Sequence, residues 1–206
     1  MKLCIQEITP RIFWVYSKTA ANLAPYFMRF QEHYESPEFQ NKVFTVGEFR
    51  EWYVKTYGDF TYDEDWAGFN FPMSILSPFK GGLFDPLTSP EKSLLSLLKD
   101  VPSNGYVIGT NDKDSLTHEI CHGLYTTDLD YRTGVQKILD KYYFDVNVVN
   151  FITQLEKDYS LDKILDELQA YHADGISEDY KGIKIHKKLR NDLLKFRRTF
   201  FERLVR

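Results

Sequence analysis

Cysteine is scarce in this chain. Cys4 and Cys121 are the only two among 206 residues, and two isolated thiols do not make the disulfide framework of a small secreted domain. Long apolar runs are missing too. No stretch approaches the ~18 consecutive apolar residues of a transmembrane helix. The opening stretch MKLCIQEITPR holds no apolar run of signal-peptide length. The expectation is therefore a cytoplasmic protein that spans no membrane. Charge of one sign is also lacking: the net value is only −4, so no basic field covers the molecule. That argues against a nucleic-acid partner, and no RNA- or DNA-binding motif appears. There is no internal repeat and no low-complexity segment, the length fits a single domain spanning 1–206, and no pattern fixes an oligomeric state.

Aromatic residues are plentiful, at 16% of the chain, and many fall between residues 49 and 71, in FREWYVKTYGDFTYDEDWAGFNF. Trp52, Tyr53, Tyr57, Phe60, Tyr62, Trp66, Phe69 and Phe71 are expected to build a core between an N-terminal sheet and a helical half. A second expectation is a substrate wall, whose acidic loop of Asp59, Asp63, Glu64 and Asp65 would favour a basic or amino-terminal group. Segment 181–206 carries ten Lys and Arg against Asp192 and Glu202, a local +8 that leaves −12 elsewhere. Leu189, Leu193, Phe196, Phe200 and Leu204 recur at helical spacing. This pattern predicts a basic C-terminal helix packed on an acidic body, or a surface for an acidic partner.

Strand signals flank Pro10 in KLCIQEI and RIFWVYS. Residues 18–35 read as a helix with Pro25 at a kink or boundary. Residues 45–58 read as a helix capped by Thr45 and ended by Gly58. Residues 58–84, rich in Gly, Pro, Asp and aromatics, predict ordered loop with short strands. SPEKSLLSLLKD (89–100) predicts a helix capped by Ser89 with Pro90 at its first position. NGYVIGTN (104–111) predicts a strand. Helices should follow at 113–125, 129–142, 145–158, 161–173 and 183–205. The fold class is α+β: a small N-terminal sheet and aromatic part (1–103), a mainly helical part (104–180) and the basic helix (181–206).

His118-Glu119-Ile120-Cys121-His122 is an H-E-x-x-H motif. On a helix, positions i and i+4 share one face one turn apart. Two imidazoles so placed can bind one zinc ion. Glu119 sits about 100° round the helix, beyond easy reach of the ion but within reach of a water on it. There it can act as general base while the metal lowers the water's pKa toward ~7. DSLTHEICHGLY supports the helix, with Asp114 or Ser115 as cap and Leu116, Ile120 and Leu124 as an apolar stripe. Gly123 fits a helix packed closely or about to stop.

Catalytic zinc takes three protein ligands and keeps one position open. Three carboxylates follow the motif as candidates: Asp128, six residues after His122; Asp130; and Glu167, 45 residues after His122. A ligand six residues on needs a sharp chain reversal, and Tyr125 stands where glycine would supply the freedom for it. A ligand on a separate helix needs no such turn.

With HEICH at 118–122 and DELQAY at 166–171, the chain resembles the gluzincin class of zincin metallopeptidases, and Glu167 to Ala170 is similar to the Glu-x-x-Ala helix of lethal-factor-type gluzincins. The strand GYVIGT before the motif helix is similar to the zincin order, in which a sheet-edge strand pairs with substrate. The resemblance covers about residues 104–174. It implies a zincin-like fold, His118, His122 and Glu167 as Zn2+ ligands, Glu119 as general base and a peptide or protein substrate. Zincins also use a Tyr or His to stabilise the oxyanion. Tyr131 and Tyr171 are the leading candidates here, with Tyr125 and His172 beside them. Asp166 and Asp174 are placed to orient an imidazole, and Cys121 is expected to be a buried structural thiol. Two histidines and a carboxylate also describe a non-haem Fe(II) centre. A non-catalytic protein that binds an acidic partner through the basic helix is the remaining alternative.

Overall fold

The computed structural model describes residues 2–17, 22–175 and 178–204. It is α+β, with two compact units, Met1–Lys113 and Asp114–Arg206. Among the described residues no helix is long and apolar enough to cross a membrane.

The first unit opens with β1 (Leu3–Thr9) and β2 (Ile12–Ser17), an antiparallel hairpin that turns at Pro10–Arg11. Three helices follow: α1 (Ala24–Glu35), α2 (Val46–Tyr57) and the short α3 (Tyr62–Asp65). After β3 (Phe69–Pro72) come a 3-10 turn at Met73–Leu76, α4 (Ser77–Lys80) and α5 (Ser89–Leu97), and then β4 (Tyr106–Gly109). The sheet order is β1-β2-β4-β3, with β4 parallel to β2 and antiparallel to β3. Strand β4, expected at a sheet edge by likeness to zincins, is thus interior. Both its sides are occupied, so its backbone has no free edge to offer a substrate.

Local chemistry sets most of these boundaries. Thr45 and Glu48 form a capping box at the start of α2, and Gly58 closes that helix at φ 95°. The cap of α5 is Thr88 rather than Ser89, because the hydroxyl of Thr88 accepts from the Glu91 amide while Glu91 reaches back to the Thr88 amide. Pro25 starts α1 rather than kinking it; the expected helical residues 18–21 lie outside the described residues. Segment 58–84 is more regular than its composition predicts.

The aromatic segment builds the core of this unit. Phe49, Tyr53, Tyr62, Phe69 and Phe71 are buried together with Phe27, Phe30, Phe39, Phe44, Phe79 and Phe84. Tyr57 instead is 60% exposed. A Cβ at Gly109 would overlap the Phe27 ring, so α1 approaches the sheet over a glycine. One ion pair is enclosed: Arg29 meets Glu91 at 2.6 Å through both guanidinium arms, and also donates to the carbonyls of Phe44 and Phe84. Of the acidic loop, Asp65 accepts from the hydroxyls of Tyr53 and Thr61, and Asp63 from Asn22.

The second unit is helical. It comprises α6 (Lys113–Thr127), α7 (Leu129–Leu139), α8 (Val146–Leu155), a 3-10 turn at Leu161–Lys163, α9 (Ile164–Ala173) and α10 (Lys187–Leu204). A two-stranded hairpin of β5 (Asp179–Tyr180) and β6 (Ile183–Lys184), unforeseen from the sequence, precedes α10. Helix α10 packs on α7 and α9, and α8 packs on α9. Leu189, Leu193 and Phe200 bury the seam of α10, and Phe196 lies over Gly134 of α7, where a Cβ would meet its ring. The Leu204 side chain lies outside the described residues.

Candidate metal centre

Helix α6 carries the motif. It starts at Lys113 with Asp114 in its first turn, and it does not stop at Gly123; the Thr127 hydroxyl donates back to the Gly123 carbonyl at 2.7 Å. The chain therefore continues as helix through Tyr125 instead of reversing. Asp128 then caps α7, accepting from the Tyr131 amide at 2.9 Å, and Asp130 is exposed in the first turn of α7. Neither aspartate joins the histidines.

Glu167 does. His118, His122 and Glu167 each offer one atom, all within 4.8 Å of one another. The Nε2 atoms of His118 and His122 are 3.1 Å apart, and Glu167 Oε1 lies 3.6 Å from His122 Nε2. Tetrahedral coordination with bonds of ~2.0–2.2 Å separates neighbouring ligand atoms by ~3.3–3.6 Å, so this spacing suits one small cation.

Helix α9 supplies more than that ligand. Asp166 Oδ1 stands 3.0 Å from His122 Nδ1, and Asp174 Oδ2 stands 3.2 Å from His118 Nδ1. A carboxylate only accepts, so each Nδ1 carries the proton and each Nε2 is left as a lone pair; the tautomers are assigned from this network. With both rings neutral, two lone pairs and a carboxylate oxygen converge on one point. Glu167 Oε2 is moreover buried without a hydrogen-bond partner. Such a set, once deprotonated, suits a divalent cation.

The electrostatics agree. Glu119, Asp166, Glu167 and Asp174 are all buried, at 3–6% exposure. Burial, aided by the charges of Asp166 and Glu119, pushes the Glu167 carboxyl up to about 7 against the pull of His122 and His118. Burial alone would lower His122, but Asp166, Glu167 and Glu119 outweigh it and hold the ring well above the usual imidazole range. Glu119 is thus close enough for its charge to act on both ligands.

The tyrosines part company. The Tyr171 ring meets His118 edge-on at 4.7 Å, one turn along α9 from Glu167, and its hydroxyl lies 3.3 Å from that of Tyr159. Tyr131, expected as an oxyanion donor, is placed elsewhere. It is fully buried against Phe196 and Phe200, with its hydroxyl donating to Gln169 at 3.2 Å, so it has no face toward a substrate. Tyr125 is half-buried, and burial followed by the Asp166 charge raises its pKa. His172 is structural: its Nδ1 donates to the Leu168 carbonyl, its Nε2 accepts from the His186 amide, and burial lowers it to about 4. Cys121 is buried, and its thiol donates to the Thr117 carbonyl.

Gln169 is a site residue that the sequence did not single out. Its spacing of three from Asp166 was the available signal, since i and i+3 share a helix face. The basic outer face of α10 is as expected, with Lys187, Lys188, Lys195 and Arg198 exposed. No protein-family model matches this chain, and comparison with curated proteins and with solved structures finds no match.

Proposed function

We propose that this chain is a zinc-dependent hydrolase whose substrate is a peptide or protein. The observation that carries it is the convergence of the His118 and His122 Nε2 atoms and the Glu167 carboxylate, with Asp174 and Asp166 behind the two imidazoles. Three ligands rather than four is the number that leaves a position for chemistry. A divalent ion bound there would polarise a carbonyl and acidify a water.

Glu119 is the general base. It follows His118 directly, is buried in the same cluster, and its charge acts on both His122 and Glu167. It accepts the proton of the attacking water and hands it to the leaving amine. Tyr171, beside His118, is the hydroxyl best placed to donate to a developing oxyanion. Asp166 and Asp174 keep both rings turned with Nε2 inward. Two free cysteines, Cys4 and Cys121, accord with work in the reducing cytoplasm.

The test is metal analysis of protein purified without added metal, joined to cleavage of a peptide library. About one zinc per chain and cleavage that a chelator stops are expected. Iron with oxygen-dependent turnover would replace the hydrolase with a non-haem iron enzyme. No metal, with partner binding unaffected by His118→Ala, would leave an interaction protein.

A further inference from the structure

We propose that Gln169 is a positioning residue for the metal centre: by pinning Asp166 it fixes His122 in the tautomer that presents Nε2 to the ion. This rests on the metal-binding role of His122 given above.

Asp166 Oδ1 receives two contacts at once, His122 Nδ1 at 3.0 Å and Gln169 Nε2 at 3.0 Å. The Gln169 side chain is completely buried, so its amide is satisfied by protein groups. Its orientation follows from chemistry. The carboxylate can only accept, so the amide NH2 must face Asp166, and the amide oxygen then faces the Tyr131 hydroxyl, 3.2 Å away, which donates to it. The flipped amide would put oxygen against carboxylate.

A directed chain results: Tyr131 O–H to Gln169 Oε1, Gln169 N–H to Asp166 Oδ1, His122 Nδ1–H to the same Oδ1. It begins on α7, crosses α9 and ends on α6. The Tyr131 hydroxyl also neighbours the Cys121 thiol of α6, so three helices hold the chain.

The consequence is for His122. An aspartate held by the imidazole alone can turn about its terminal torsion, which is broad for an sp³–sp² bond. Its ring partner can then exchange tautomers and present Nε2–H, which cannot bind a cation. The Gln169 contact removes that freedom from the oxygen that matters. His118 has a different arrangement: its partner Asp174 sits at the C-terminal end of α9.

The experiment is nitrogen NMR of histidine-labelled full-length protein without metal, together with zinc affinity by chelator competition and thermal unfolding. The variants are Gln169→Met, which keeps length and loses both hydrogen bonds, and Tyr131→Phe, which loses only the far hydroxyl. At a pH high enough that the His122 ring is neutral, the native chain is expected to hold it as one tautomer, protonated at Nδ1. In folded Gln169→Met it should become a tautomer mixture, with zinc affinity down about 10–100-fold. Tyr131→Phe should move both readouts in the same direction by less. A merely structural glutamine would lower the unfolding temperature and leave the His122 tautomer alone; that result overturns the proposal. Should Gln169→Met not fold, an unchanged tautomer and affinity in Tyr131→Phe overturns it as well. If the native chain binds no metal, the zinc hydrolase fails, and the tautomer readout still decides the role of Gln169.

Discussion

Asp166 and Glu167 are adjacent on α9, yet they serve opposite edges of one ring: Asp166 Oδ1 is 3.0 Å from His122 Nδ1, and Glu167 Oε1 is 3.6 Å from His122 Nε2. One helix thus provides both the carboxylate that orients an imidazole and the carboxylate that shares its cation.

Glu167→Ala should lower zinc affinity strongly, because it removes one of three ligands and a neutralising charge. Asp128→Ala should leave zinc bound and cost about 0.5–2 kcal/mol of stability, the usual value of a lost helix cap. Chelator competition and denaturant unfolding on the two variants separate these effects. A zinc loss in Asp128→Ala with none in Glu167→Ala would reverse the ligand assignment.

Glu119→Gln keeps shape and loses basicity. The folded, zinc-loaded variant should lose turnover by ~10²–10⁴-fold with metal content unchanged. Full turnover would remove Glu119 from the mechanism.

Metal affinity should depend on pH in one direction. A cation binds ligands only in their deprotonated form. In the metal-free chain the Glu167 carboxyl is pushed up to about 7 and His122 is held above its ordinary value, so binding must displace protons near neutrality. Apparent affinity should fall as pH drops below about 7, and calorimetry in buffers of different ionisation enthalpy should register proton release. Affinity independent of pH between 5 and 8 would contradict the buried cluster.

The ion pair in the first unit should be costly to break. Glu91→Gln leaves the Arg29 guanidinium buried without its counter-charge. A loss of about 3–5 kcal/mol is expected in denaturant unfolding. A loss under 1 kcal/mol would mean that water reaches Arg29.

Glu32, buried on α1, has its carboxyl raised from 4.5 to about 7 by burial, with only partial relief from the Tyr62 and Ser36 hydroxyls. Its folded pKa lies above its unfolded one, so the folded state binds the extra proton between those values. Stability should fall as pH rises from about 4.5 to 7, and the deficit should persist above that range. Glu32→Gln should remove this dependence and raise the unfolding temperature at pH 8. An unchanged or lower value there would place Glu32 in a partnership that needs its charge.

The sequence by itself determined the parts whose physics is local. The four-residue spacing of His118 and His122 puts two imidazoles on one helix face whatever surrounds it. The Thr45–Glu48 pair starts α2 by closing on itself within one turn. Tyr125 in place of a glycine spoke against a reversal after His122, and α6 indeed runs on to Thr127. What only the tertiary structure decided depends on pairs distant in the chain. Asp174 reaches His118 across 56 residues, and no periodicity encodes which aspartate will face which ring. Tyr131 falls on the buried side of α7 rather than toward the histidines because Phe196 and Phe200 of α10 pack against it. The interior place of β4 was equally hidden, since strand order follows from the parallel pairing with β2, whose partner residues, such as Ile12 and Tyr106, are 94 positions apart in the chain. Short-range spacing fixes which atoms share a helix face, whereas long-range packing selects which of those faces meet.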